Sequence, residues 1–189
     1  MDQDADVEES QEYEESAPPR AAAKAASPQA SGASGETTQY LTFQLDDEVF
    51  AVDISKVREV LEYTNITKVP RTPDFMCGVI NLRGSVVPVV DLRLKFGMSR
   101  SERTVNTCII IVEIVQEDEV TEMGALADSV KEVMELEHSK IEPPPKLGTR
   151  LRSDFLKGMG KHEDQFIMLL EIDRIFSTEE LSIANHTLS

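Results

Sequence analysis

The chain has 189 residues, room for one compact domain or two very small ones; with 40% apolar side chains, 5% aromatic and no Trp, its core must rest on Val, Ile, Leu and Met. A formal net charge of −16 repels a phosphate backbone and an anionic membrane surface alike, which argues against nucleic acid as a partner and against direct membrane insertion. The longest apolar runs, such as Cys108–Val112, fall far short of the ~18 residues a membrane span needs. Cys77 and Cys108, neither with a CxxC partner, read as two reduced, buried thiols of a cytoplasmic protein.

Residues 1–39 carry nine acids and two bases, then Ala, Pro, Ser and Gly, with almost no large apolar side chains. Such a stretch buries too little surface to offset its ordering entropy, so a disordered tail is expected, with order beginning at Tyr40. Tyr40–Leu45 and Val49–Val52 read as two strands around the turn Asp46-Asp47-Glu48, and Asp53 can cap a short helical turn through Val57. Pro70 and Pro73 punctuate the loop that follows. Gly78–Leu82 and Ser85–Val90 are strand-like runs joined by Arg83-Gly84, a tight hairpin in which Gly84 can supply a positive φ. Pro88 removes a ladder donor from the second run, which predicts an edge or bulged strand there. Asp91–Phe96 reads as a helical turn ended by Gly97. Thr107–Val115, Val120–Ala127 and Phe166–Ile172 are further strands, the last followed by a helical turn ending near Phe176.

The second half repeats the first. Phe75-Met76-Cys77-Gly78 corresponds to Phe155-Leu156-Lys157-Gly158, and Val89-Val90-Asp91-Leu92 to Leu169-Leu170-Glu171-Ile172, both at an offset of eighty. Val57-Arg58-Glu59-Val60-Leu61 matches Val130-Lys131-Glu132-Val133-Met134 at an offset of seventy-three, and Pro143-Pro144-Pro145 lengthens the second loop. A strand-rich unit of about seventy residues buries only about 60% of its surface and is marginal alone. Two such units sharing one core are therefore expected: an all-β domain of paired small barrels with short helical turns, and a groove where the barrels meet. The expected division is a tail over 1–39, a first barrel over about 40–106, a second over about 107–180, and a C-terminal tail over 181–189.

Nothing in the pattern supplies reactive chemistry. His138, His162 and His186 are scattered, so no metal site is expected, and neither a phosphate-binding Gly-rich loop nor a Gly-x-Ser-x-Gly elbow is present. The acids fall in turns and in the tail, where a charge run is a solvated face. Asp91 and Glu171 follow equivalent strands in the two units, and their repetition favours capping of the next turn over catalysis. No enzyme activity and no cofactor are expected.

Phe43-Gln44-Leu45, Ala51-Val52-Asp53-Ile54, Val57-Arg58-Glu59-Val60, Gly78-Val79-Ile80-Asn81-Leu82-Arg83-Gly84 and Val87-Pro88-Val89-Val90-Asp91-Leu92-Arg93 together resemble the CheW family of bacterial chemotaxis coupling proteins. The resemblance covers about residues 40–180, and the Asn-Leu-Arg-Gly hairpin is its most specific part. It implies two interlocked five-stranded barrels resembling SH3 domains. It also implies an adaptor that links the cytoplasmic tips of chemoreceptors to the C-terminal regulatory domain of the chemotaxis histidine kinase, at the inner face of the membrane, and that meets other CheW copies in array rings. A receptor helix hairpin would occupy the groove and the kinase another barrel edge. By motif correspondence Val57, Glu59, Gly78 and Arg83 fall near the receptor-binding groove. Arg83 at a hairpin tip would be free to fork onto a receptor carboxylate or carbonyl. Val57 reads equally as plain core, and Glu59 as an exposed strand residue. Other readings are a CheW-like scaffold in a non-chemotaxis array and a small β-barrel module for another ligand. Cys77, Met98 and Ser99–Asn106 match no family signature.

Overall fold

The computed structural model describes residues 35–144, 153–176 and 181. Through them run strands β1 (Thr37–Leu45), β2 (Glu48–Asp53), β3 (Val57–Glu62), β4 (Met76–Leu82), β5 (Ser85–Asp91), β6 (Cys108–Gln116), β7 (Glu119–Ala127), β8 (Ser129–Glu137), β9 (Leu156–His162) and β10 (Gln165–Leu170). Single-turn helices α1 (Leu92–Lys95) and α2 (Ile172–Ile175) follow β5 and β10. The all-β class with short helical turns is thus the one the sequence predicts. Most of the expected N-terminal tail, 1–34, lies outside the described residues, but its last residues, Thr37–Gln39, already belong to β1. At the other end, 182–189 lie outside the described residues, whereas Leu181 is buried in the core and not part of a tail.

The strands form two five-stranded sheets, ordered β8-β1-β2-β10-β9 and β3-β6-β7-β5-β4. They do not part near residue 106. The hairpin β1–β2 sits in the first sheet beside β8, β9 and β10, and the hairpin β6–β7 sits in the second beside β3, β4 and β5. Each repeat therefore lends its opening hairpin to the other repeat's sheet, with β10 parallel to β2 and β5 parallel to β7. This exchange is the interlock, and a boundary drawn along the chain cannot express it. The repeat itself is visible in the backbone: the Asp91 N–H donates to the Phe75 carbonyl (2.7 Å) and the Glu171 N–H to that of Phe155 (2.8 Å). Isolated bridges Thr67–Val79 and Glu142–Met159 join the chain after β3 to β4 and the chain after β8 to β9. In each sheet the continuation of one end strand thus meets the strand at the other end, and the sheet closes towards a barrel.

The exchange explains why some runs are apolar without alternation. In β2, Phe50 and Val52 face a core shared by both sheets, while Val49 and Ala51 face the first sheet's own interior. In β6, Ile110 and Val112 face the shared core, and Ile109 and Ile111 the second sheet's own interior. A strand buried on both faces reads as a continuous apolar run because neither side can tolerate polar groups. The shared core holds a row of rings, Phe43–Phe50–Phe96–Phe155, with centroids 5.6–6.0 Å apart, within an otherwise aliphatic and Met-containing interior.

Two sequence expectations change in detail. Pro88 is not on an edge strand, since β5 lies between β7 and β4, but the β4–β5 pairing is bulged beside it, between Met76 and Gly78. Its partner Val79 turns its own N–H and C=O to Thr67, so no ladder bond to β4 needs a donor from Pro88, and pairing with β7 begins only at Val89. Asp91 caps α1, accepting from the Arg93 and Leu94 N–H groups, but Glu171 makes no side-chain cap at α2. The tips of the exchanged hairpins are instead held by ion pairs and hydrogen bonds. Arg93 of α1 contacts Asp128 (2.7 Å), whose carboxylate accepts the Asp46 N–H at the β1–β2 turn. Asp173 of α2 accepts from Lys56 Nζ and from the Val115 N–H beside the β6–β7 turn.

A small second unit has 35–37 and 137–139 as its described residues; within it the His138 N–H donates to the Glu36 carbonyl (2.9 Å). Among the described residues no helix is long and apolar enough to cross a membrane.

Candidate functional site

The β4–β5 hairpin turns on two residues, both with positive φ: Arg83 at +52° and Gly84 at +87°. Those signs match the mirror-image turn that fits the twist of a two-residue hairpin, and the Gly84 N–H is further held by Asn81 Oδ1 (3.0 Å). Glycine takes such a φ freely. Arginine does not, and Asn or Gly would suit Arg83's position better on local grounds. Arg83 shares this left-handed conformation with the non-glycine tip residues Glu117, Asp118, Glu163 and Asp164, so it is the guanidinium and not the backbone that distinguishes this tip.

That guanidinium is not free, as the hairpin alone would suggest. Its two terminal nitrogens grip both oxygens of Glu59, at 2.5 and 3.0 Å. Glu59 lies on β3, at the opposite end of the sheet order from β4, so the pair spans the seam where the sheet closes. The Arg83 side chain is 73% exposed and that of Glu59 26%. The hydrogen bond from Arg83 holds the Glu59 carboxyl below the ordinary carboxylate range, against a smaller opposing effect of partial burial, and raises the Arg83 pKa in turn. A two-pronged pair of this kind presents a flat, mostly exposed guanidinium whose orientation is already fixed.

The other two candidates do not join this pair. Val57 begins β3 half-buried and packs against the shared core, as its plain-core reading has it. Gly78 has φ +141°, and a Cβ there would lie 2.1 Å from the Thr67 carbonyl oxygen. Its smallness lets the chain after β3 lie across β4 and close the barrel. Gly158 is its counterpart: a Cβ there would meet Ile141 at 2.6 Å and the Glu142 carbonyl oxygen at 2.9 Å. Of the four residues, Glu59 and Arg83 form the exposed chemical feature, while Val57 and Gly78 support the strands that carry them. On the outer face beside them, Arg58 pairs with Glu113 (2.9 Å) and reaches Glu122 (3.6 Å), and Val60 is 41% exposed.

The space between the two sheets is filled by packed side chains. A cleft of about 540 Å³ lies instead within the half of the molecule built on β3–β7, between the β3–β4 connector and the connector from α1 to β6. Cys77 lines it, half-buried, its thiol pushed up to about 11 by burial; Cys108 is buried and raised for the same reason. Both are free and neither favours the thiolate that a reactive cysteine needs. Among the described residues no group of three or more His, Cys, Asp or Glu could hold a metal ion.

The CheW-like domain family model matches residues 39–180. The chemotaxis protein CheW of Klebsiella aerogenes is 34% identical over 154 residues, 80% of this chain and 90% of that protein. Protein FrzA of Myxococcus xanthus is 31% identical over 164 residues, 86% of this chain and 94% of that protein. The crystal structure of the scaffolding protein TtCheW from Thermoanaerobacter tengcongensis superposes with a TM-score of 0.69 at 34% identity, covering 77% of this chain and 96% of that one.

Proposed function

Because the chain belongs to the CheW-like family, we infer that it is a non-catalytic coupling adaptor of a chemotaxis signalling array, acting in the cytoplasm at the inner face of the membrane. Its partners in this reading are the cytoplasmic tips of chemoreceptors, the regulatory domain of the chemotaxis histidine kinase, and neighbouring CheW-like domains in array rings. The observation that carries the reading is the Glu59–Arg83 pair: an exposed guanidinium at a hairpin tip, held in orientation by both carboxylate oxygens of Glu59.

The mechanism is positional. A receptor segment offering a carboxylate or carbonyl meets the outer edge of Arg83, while Glu59 keeps the guanidinium aligned. Val57 and Gly78 act by holding β3 and β4 in register beneath them. The adaptor biases the kinase only through contacts that differ between the kinase's active and inactive arrangements. Pull-down or calorimetry of Arg83→Ala on receptor fragments is expected to show a loss of roughly thirtyfold in affinity, as for a central arginine anchor. Unchanged affinity in a folded variant removes Arg83 from the receptor site.

The FrzA relative, which matches as much of the chain under another name, is consistent with a second reading, a CheW-like scaffold of an array other than chemotaxis, while the chemotaxis reading holds. Co-purification separates the two by which kinase and receptor come down with the protein.

A further inference from the structure

We propose that the cleft between the β3–β4 and α1–β6 connectors is a docking site for a short acidic segment of a partner protein, taking apolar side chains on its floor and carboxylates at its rim. Lys68 and Arg71 stand on one connector, and Arg100 and Arg103 on the other. Of the seven bases and three acids in residues 63–107, four bases and all three acids line the cleft, a small positive excess in a chain whose formal net charge is −16. Arg103 lies over the Tyr63 ring at 4.0 Å, which steadies that corner of the cleft. Lys68, Arg71 and Arg100 have no ion-pair partner among the described residues. Three acids also line the cleft, Asp74, Asp91 and Glu102, so its four cations leave an excess of one positive charge, and Asp91, which caps α1, lies close enough to Arg100 to feel its charge. Ile66, Met76 and Leu126 provide an apolar floor.

This combination selects its occupant. A long polyanion would feel the whole acidic molecule, whereas charges farther apart than about 8 Å are largely screened at physiological ionic strength. A ligand whose charge is confined to the cleft therefore meets its local positive excess and not the acidic average of the molecule. Inorganic phosphate would gain nothing from the apolar floor, but a Leu or Ile flanked by Glu or Asp uses both features. The site is separate from the Glu59–Arg83 pair, since neither residue lines the cleft.

The test uses the full chain and a fluorescein-labelled twelve-residue peptide in which pairs of Glu flank single Leu residues, followed by fluorescence anisotropy. Saturable binding that weakens as salt rises is expected, with a tenfold or greater loss for the Arg71→Glu/Arg100→Glu double variant. Arg83→Ala should bind the peptide like the parent. A peptide with Gln in place of Glu, and one with Gly in place of Leu, should each bind at least tenfold more weakly. Circular dichroism checks folding, and if the double variant is unfolded the single Lys68→Glu exchange serves in its place, with a severalfold loss expected. The proposal is overturned by absence of binding to the parent chain, by equal binding of the Gln peptide, or by an equal loss in Arg83→Ala. Displacement of the peptide by millimolar inorganic phosphate would make this a small-anion site, and peptide-independent dimers that block binding would make it a face for a second copy; either also overturns it.

Discussion

Individual residues divide here into those that hold the backbone and those that present chemistry, and substitutions tell the two apart. Gly78→Ala places a methyl group 2.1 Å from the Thr67 carbonyl oxygen at a φ that side chains rarely adopt. It should cost ~3 kcal/mol or more in denaturant unfolding, through lost barrel closure. A binding defect in that variant would report a displaced connector and not a missing contact. Asp91 separates cap from charge. Burial raises its folded pKa above the unfolded value, and the Leu94 and Arg93 N–H groups only partly oppose this. The stability linked to its protonation is thus fully present below the ordinary carboxylate pKa and is lost as pH rises through the raised folded value. Asp91→Asn, which keeps the capping oxygen without the charge, should match or exceed the parent at neutral pH, and its advantage should vanish as the pH falls below the carboxylate range. Asp91→Ala loses the cap and should cost about 1 kcal/mol at neutral pH. A guanidinium denaturation series over pH checks both signs. The sequence made Arg83 and Glu59 legible as candidates through their motif, but not as a pair. Twenty-four positions and both ends of a sheet order separate them, and only closure of the sheet brings them together.

The β4–β5 hairpin is the element where stability and function pull in opposite directions. Arg83→Asn relieves a left-handed backbone position while removing an exposed ion pair of small net value. The variant should therefore melt at the same temperature as the parent or a few degrees higher, yet bind receptor fragments as poorly as Arg83→Ala. A lower melting temperature would mean that the pair also helps to close the barrel, whereas unchanged receptor binding would show that it is no binding feature. Hairpins were the most legible elements, because turn residues and short alternating runs mark them locally. β9 was the least legible, since Gly158 and Gly160 interrupt its pattern. Those glycines answer to distant neighbours, Ile141 with Glu142 and Leu136, which no local rule contains. The single turns capped by Asp53 and Asp91 were readable, but the missing cap at Glu171 was not, because the repeat conserves the position and not the hydrogen bond.

Taken whole, the molecule is a duplication whose halves cannot be separated. The repeat was visible in sequence as matched motifs, and its spacing foretold a shared core. The partition of strands was not visible, because apolar alternation says that a strand is buried and not which sheet buries it. Fragments 37–106 and 107–189 made separately should lack cooperative unfolding, each having lost the hairpin it depends on, and mixing them should restore a native-like spectrum. Two independently folded fragments would contradict the exchange. The same exchange sets an order of events during synthesis. Val49 on the first hairpin finds its neighbour Ile167 only after roughly 118 further residues have been made. At ~5–20 residues per second that leaves an apolar ribbon uncovered for roughly 6–24 seconds on the ribosome. Quick release or a sheltering chaperone would then govern the yield of this protein more than its final stability does.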